Sequence, residues 1–314
     1  MRSIGVSAGV EPVLRIIAGP TGAGKSALAL RLAESSGATI ISADSRQIYR
    51  GFDIGTAKPT AAERARVRHE GLDVAGPLER WSAARWADAA AQWIDEARDE
   101  GREAIVVGGT GFWLRALVHQ LADEPPIEEG RRRALQAALG QLDLPTLRRW
   151  AQALDPARAD LGRTQLLRAV EVALLSGTRL SDWHRAGESK PAREARWLVI
   201  DPGAAIATAI ESRVDAMLDA GWEREVATLD AVVPADAPAW NACGYETIRE
   251  LVAGTLERPV ARERVIIATR QYAKRQRTWF RHQLQGERDV TRLDPRAVDS
   301  WERAQHWFER GASP

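Results

Sequence analysis

The 314-residue chain has one cysteine, Cys243, and five histidines, which excludes an internal disulfide framework and a four-cysteine zinc site. His69 has no second histidine at ligand spacing and reads as a packing residue. Cys243 has no evident activating partner and reads as a small packed side chain. No stretch approaches the roughly 18 apolar residues of a membrane span, and the first ten residues lack an uninterrupted apolar core. A soluble cytoplasmic protein with no membrane partner is therefore expected. Charge of one sign is also missing: 44 Lys and Arg stand against 43 Asp and Glu, a net charge of +1, so any nucleic-acid surface must be a local patch. There is no internal repeat and no low-complexity tract. With 45% hydrophobic residues the chain can bury a sizeable core, and its length suggests more than one domain at roughly 100–200 residues each.

Against these absences stands one strong local pattern. Gly19, Pro20, Thr21, Gly22, Ala23, Gly24, Lys25 and Ser26 fit G-x-x-x-x-G-K-[ST], between the apolar run Val13–Ala18 and the helical run Ala27–Glu34. Backbone amides of such a loop cradle a polyphosphate at a helix N-terminus; Lys25 would neutralise it and Ser26 would ligate Mg²⁺. The pattern says which group is held, not what is done to it. Hydrolysing NTPases usually place an acid at the end of another buried strand. Here the strand Glu103–Val107 runs into Gly108, Gly109, Thr110 and Gly111 and offers no carboxylate. Asp44, after Ala38–Ala43, is the acid available. With Thr110 on a neighbouring strand end it suits a base that takes a proton from an incoming nucleophile; a helix N-cap or Asx-turn is the other reading of the same residue.

Strand-like and helix-like segments alternate: Val13–Ala18, a helix from Lys25, Ala38–Ala43, a helix Ser82–Asp99, Glu103–Val107 and a helix Phe112–Gln120. This predicts an α/β fold, a parallel sheet flanked by helices with right-handed crossovers. After the break at Asp123–Pro126 the chain reads as helices only from Arg131 to Arg185, and Gly187–Pro191 leads out to a returning strand, Arg196–Asp201. The expected organisation is a P-loop NTPase-like core, residues 10–122 and 192–314, with an inserted all-helical domain at 123–191. Later helices are expected over Ala204–Ala220, Gly221–Ala231, Tyr245–Val252 and Ala261–Gln285.

The last of these carries a second signal. Arg262, Arg264, Arg270, Lys274, Arg275, Arg277 and Arg281 stand against one acid, Glu263, with Tyr272, Trp279 and Phe280 interleaved. Cations and aromatics on one helix suit phosphate contacts plus stacking on unpaired bases. A solvated basic face over a core stripe of Ile266, Ile267 and Trp279 is the alternative, and charge alone does not decide between them.

These motifs, in this order, resemble the tRNA dimethylallyltransferases. The matching stretches are GPTGAGKS from Gly19, SADSRQIYRGFDIGTAKPT at Ser42–Thr60, GGTGFWLRAL at Gly108–Leu117, LLRAVEVALLSG at Leu166–Gly177, GWEREV at Gly221–Val226, CGYETI at Cys243–Ile248 and QYAKRQRTWFR at Gln271–Arg281. The resemblance implies transfer of a dimethylallyl group from dimethylallyl diphosphate to the N6 amine of the adenosine 3′-adjacent to the anticodon, in tRNAs reading codons that begin with U. It implies that Gly19–Ser26 hold the donor diphosphate with Mg²⁺ on Ser26, and that Asp44, Thr110 and Lys25 are the catalytic set. It further implies tRNA contacts from Asp44, Ser45, Arg46, Gln47, Thr110, Arg132, Arg168, Gly244, Tyr245, Lys274, Arg275, Gln276, Arg277, Trp279 and Arg281. Lys58 would lie near the active-site mouth. The helical insertion would clamp the anticodon stem, and a monomer is expected.

The chain departs from the family pattern at Ala159–Arg163, where members carry His-Pro-x-Asp, at Trp113 in place of a tyrosine, at the arginine run 131–133, and at Asn241. None of these touches the expected chemical centre. The competing function is a small-molecule or nucleoside kinase binding ATP on the same loop, which would need an arginine lid and a base pocket that the sequence does not display. A third reading is a nucleotide-dependent RNA-binding module without catalysis.

Overall fold

The computed structural model describes residues 13–119, 125, 127–187 and 193–310. Those up to Val118 together with those from Arg193 onward form one compact unit, and those of His119–Ala192 form another. Residues 120, 123, 124, 126 and 188–191, on which several expected boundaries fall, lie outside the described residues.

The first unit is built from β1 (Leu14–Ala18), α1 (Lys25–Ser36), β2 (Thr39–Ser42), α2 (Ala61–Arg66), β3 (His69–Glu70), α3 (Ala83–Asp99), β4 (Ala104–Gly108) and α4 (Gly111–His119). In the second unit come α5 (Glu129–Gly140), α6 (Leu144–Leu154), α7 (Arg163–Ser176) and α8 (Leu180–Gly187). The first unit then resumes with β5 (Ala195–Ile200), α9 (Ile206–Asp219), α10 (Trp222–Asp230), α11 (Tyr245–Val252), α12 (Arg258–Gln283), β6 (Asp289–Leu293) and α13 (Ser300–Glu309).

The strands form one six-stranded sheet in the order β3-β2-β4-β1-β5-β6. Every pairing is parallel. Strands β1 and β2 are buried at every position, as a sheet covered on both faces requires, and this is why their sequences are nearly continuous apolar runs. The polar exceptions are Thr39, Ser42 and Arg15, and the one charged group, Arg15, is 7% exposed. Its guanidinium pairs with Glu103 and donates to the Phe308 carbonyl at 3.0 Å, so the buried charge is compensated. Trp307, Phe308 and Ala304 of α13 complete the core formed by Ile17, Leu32, Ile105, Leu198 and Leu293.

The second unit has its own core of Leu139, Leu147, Ala151, Leu166 and Val170. Asp143 caps α6 by accepting the Thr146 amide, and the left-handed Gly177, φ 71°, ends α7. Within the unit Arg132 and Arg168 converge on one buried carboxylate, Glu171, with Arg132 Nε at 3.0 Å. Gln136 donates to the same group at 2.6 Å.

Helix α12 starts at Arg258, three residues before the expected Ala261, because Pro259 occupies its first turn, where a missing N–H costs nothing. Strands β3 and β6 and helices α2 and α13 are not among the elements expected from the sequence: β3 is two residues long, and β6 reads DVTRL with only Leu293 buried.

Between β2 and α2 a long loop is fixed from inside by Lys58. Its ammonium, 1% exposed, lies 2.6 Å from both Asp53 and Asp73 and donates to the Tyr49 carbonyl. Arg64 adds a second cation on Asp73 at 2.7 Å. The resemblance put Lys58 at the active-site mouth; the structure makes it the internal pin of the loop that follows Asp44. Asp53 is half exposed, so Lys58→Ala should cost somewhat less than the roughly 3–5 kcal/mol of breaking a fully buried pair. Urea unfolding checks this, and a loss below about 1 kcal/mol would class Lys58 with ordinary surface pairs.

Candidate active site

Four strand ends meet at one edge of the sheet. Register pairs Ala18 with Gly108 and with Val199, and Ser42 with Val107. The loop after β1, the glycines after β4 and Asp44 after β2 are therefore neighbours. Close approach explains two of the glycines: a Cβ on Gly19 would lie 2.3 Å from the Ile200 carbonyl oxygen, and one on Gly108 2.1 Å from that of Ala43.

Gly24, left-handed at φ 87°, turns the phosphate loop into α1. Lys25 Nζ folds back to donate to the Pro20 carbonyl at 2.8 Å. Ser26 is exposed, and its hydroxyl has no hydrogen-bond partner among the described residues. Burial lowers the Lys25 pKa to about 8, helped by the nearby Arg213 cation and opposed by Asp44. Burial likewise lowers the pKa of Arg213, again opposed by Asp44. Two cations crowded together in a desolvated pocket, facing one carboxylate, are held at an energetic cost that an entering polyanion would relieve.

The Asx-turn reading of Asp44 is seen directly, and it occupies only one carboxylate oxygen. One oxygen, Oδ1, accepts the Arg46 amide at 2.8 Å in an Asx-turn. The other has no hydrogen-bond partner among the described residues. Thr110 Oγ1 accepts the Ser45 amide at 3.1 Å, and the Thr110 amide donates to Ala43 O at 3.2 Å, so the β4 end fixes the backbone on both sides of Asp44. A cavity of about 410 Å³ opens here, within the roughly 300–1,000 Å³ typical of small-molecule sites. Thr21, Asp44, Arg46, Arg213 and Tyr272 form its polar lining, and Val214, Met217, Trp222, Val265 and Ala268 its apolar lining. Arg213 carried no sequence signal: it is one of the chain's many arginines, alone of its type on the helix expected over Ala204–Ala220.

Of the residues expected to face RNA, Asp44, Ser45, Arg46 and Arg275 line the cavity. Lys274, Arg275 and Arg281 are exposed on α12 without a carboxylate partner among the described residues. Arg275 lies over the Tyr272 ring, 5.8 Å from its centroid. Trp279 packs on Gly111, where a Cβ would meet its ring at 2.2 Å.

Three side chains expected on the RNA side are spent inside the protein. Gln47 accepts from Ser42 Oγ at 2.9 Å and donates to Thr56 O and Ala57 O. Tyr245 is fully buried, its hydroxyl donating to Glu225 at 2.6 Å. Gln276 is 7% exposed, accepting the Thr21 amide at 2.8 Å and donating to Gly109 O at 2.9 Å.

The basic helix is also largely self-neutralised. Arg262 pairs with Asp215, Arg264 with Glu250, Arg270 with Glu211, and Arg277 with Asp201. Cys243 lines the cavity with Sγ 3.6 Å from Thr269 Oγ1. His69 donates from Nδ1 to Val67 O at 2.8 Å. Among the described residues there is no group of three His, Cys, Asp or Glu that could hold a metal.

A phosphate-loop sequence on a parallel α/β sheet, with a carboxylate from a nearby strand end on a partly apolar cavity, places the chain in a class by fold: P-loop-like α/β proteins. The particular family follows from comparison. Residues 47–283 match the IPP transferase family profile, and the chain belongs to that family. It is 43% identical over 293 residues to a tRNA dimethylallyltransferase of Rhodospirillum centenum, covering 91% of this chain and 92% of that one. The full-length tRNA isopentenylpyrophosphate transferase of Bacillus halodurans is 29% identical, with a TM-score of 0.67 over 95% of this chain and 96% of that one. A eukaryotic dimethylallyltransferase acting on tRNA, 23% identical, shares the fold with a TM-score of 0.78, covering 95% of this chain and 77% of that one.

With its pKa lowered to about 8 by burial, the Lys25 ammonium loses its charge as pH rises through that value, so its contribution to pyrophosphate binding should be full below that pH and lost above it. Between pH 7 and 9 the free protein loses about nine-tenths of this charge, which predicts roughly ten-fold weaker binding. Lys25→Arg, charged throughout, should flatten the profile. Calorimetric titration across this range checks both, and a wild-type affinity that rises steadily to pH 9 would contradict the assignment.

Proposed function

We propose that this chain transfers a dimethylallyl group from dimethylallyl diphosphate to the N6 amine of the adenosine 3′-adjacent to the anticodon of tRNAs that read codons beginning with U, acting as a cytoplasmic monomer. The observation that carries the reading is the cavity itself, whose lining combines the cations Arg46 and Arg213, Thr21 of the phosphate loop, apolar side chains and the carboxylate of Asp44. A diphosphate with a short apolar tail fits that combination, and a polar nucleophile fits beside the carboxylate.

In the proposed step N6 attacks the first carbon of the prenyl group, the carbon–oxygen bond to diphosphate breaks, and the N6 proton passes to Asp44. Negative charge grows on the departing diphosphate, so Lys25, Arg213 and the amides of the loop act where charge develops. Thr110 acts through position, holding Ser45 and hence Asp44. The unpartnered Ser26 hydroxyl suits a Mg²⁺ ligand, and with no acidic cluster nearby the ion would take its other ligands from phosphate oxygens and water, adding positive charge at the leaving group. The target base must leave its stack to reach the cavity, as base-modifying enzymes require.

The kinase alternative draws no support from the relatives, which are tRNA dimethylallyltransferases over about nine-tenths of the chain. No described helix is long and apolar enough to cross a membrane.

Asp44→Asn should lower single-turnover prenyl transfer by at least about 10²-fold, the usual effect of losing a general base, with little change in tRNA affinity. Near-normal transfer would remove Asp44 from the chemistry. The ion pairs on α12 sharpen a second expectation. Neutralising Lys274 and Arg275 together should weaken tRNA binding and flatten its logarithmic salt dependence by roughly 0.7 per contact on single-stranded RNA. Neutralising Arg262 and Arg270, which are already paired, should leave that slope unchanged; equal slopes for all variants would put the RNA on another surface.

A further inference from the structure

The loop that follows Asp44 is held at its far end by a single carboxylate. Glu225, on α10, accepts the amides of Asp53 at 3.0 Å, Ile54 at 2.6 Å and Gly55 at 3.4 Å. The Tyr245 hydroxyl of α11 is its fourth donor, at 2.6 Å. No cation pairs with Glu225 among the described residues; successive backbone dipoles compensate its charge, as in an anion-binding nest filled by the protein's own side chain. Trp222, one turn earlier on α10, closes over the same loop, and a Cβ on Gly55 would lie 2.2 Å from its Nε1.

The pinned segment belongs to the cavity. Gly55 and Thr56 line it together with Asp44, Ser45 and Arg46. The stretch between them is stiff: Gln47 ties Ser42 to the carbonyls of Thr56 and Ala57, and Lys58 ties Tyr49 to Asp53. The 53–57 segment is thus coupled to Gln47, three residues beyond Asp44, by direct hydrogen bonds. Glu225 does not itself line the cavity and reaches it only through the Gly55 amide.

We infer that Glu225 is a positioning residue for prenyl transfer: with Tyr245 it fixes the 53–55 backbone and so aims the Asp44 carboxylate at the acceptor amine. This deepens the proposed function and rests on Asp44 acting as the base. A loose base costs rate and leaves the diphosphate grip intact, because the phosphate loop is fixed separately.

Glu225→Ala should lower kcat by roughly ten- to hundred-fold, the scale produced by misplacing a reacting group by about 1 Å. Pyrophosphate affinity should change by less than about two-fold, since ground-state binding to the loop is untouched. The decisive readout is the cycle with Asp44→Asn: once the base is gone there is nothing left to aim, so Asp44→Asn/Glu225→Ala should be no slower than Asp44→Asn alone. Glu225→Gln keeps the volume and one acceptor oxygen, serves if the alanine variant does not fold, and should show the same non-additive loss at smaller size. A folded Glu225 variant with wild-type kcat overturns the inference, as does a loss that persists in full on top of Asp44→Asn. Failure of the underlying base reading looks different: Asp44→Asn alone would then match the wild type.

Discussion

The carboxamide of Gln276 joins parts of the site that lie far apart in the chain. Its oxygen takes the Thr21 amide of the phosphate loop and its nitrogen gives a hydrogen bond to Gly109 at the end of β4, 2.8 and 2.9 Å away. Both partners are backbone groups, so the bridge fixes where α12 crosses the sheet edge. The approach is so close that a Cβ on Gly109 would stand 2.3 Å from the Gln276 nitrogen, and two residues on Trp279 occupies the place of a Cβ on Gly111. In a buried setting each such bond is costly to leave half-made, about 1–3 kcal/mol for the orphaned group. The glycine run after β4 and the glutamine in the basic helix are thus two sides of one contact. It sets Lys274 and Arg275, two positions and one position earlier on α12, at a fixed distance from the diphosphate site.

Charge is arranged in two ways on this scaffold. Around α12 most arginines are matched with carboxylates and hold helices together, leaving Lys274, Arg275 and Arg281 without such partners. Beside the cavity the matching is incomplete: Lys25 and Arg213 both feel the Asp44 carboxylate without an ion pair to it, and burial lowers both pKa values. A near-neutral chain can therefore present a small exposed cationic surface and a desolvated polyanion site without a large net charge.

Much of this was legible in the sequence because the signals are local. The phosphate loop is eight consecutive residues between a strand and a helix, and Asp44 and Thr110 each follow a buried strand by two residues, so their meeting follows from the sheet being parallel. What stayed hidden depends on distant partners. Arg262 finds Asp215 47 residues away and Arg277 finds Asp201 76 away, so a run that reads as a free basic face is mostly ion-paired. Tyr245 and Gln276 lie in motifs associated with RNA, yet their partners, Glu225 and Thr21, draw them inward. Arg213 acquires its place only when α9 packs beside the loop. Strand β6 is a partly exposed edge strand whose polar residues carry no alternation strong enough to betray it.

The central claim is that the phosphate loop serves a prenyl diphosphate and that the acceptor is an adenosine amine in tRNA. Its most direct test is mass analysis of nucleosides from tRNA incubated with the purified protein, Mg²⁺ and either dimethylallyl diphosphate or ATP. N6-dimethylallyladenosine, formed with the prenyl donor alone and accompanied by an equal amount of released diphosphate, is the predicted result. Unmodified tRNA with the prenyl donor, together with phosphoryl transfer from ATP, would contradict it.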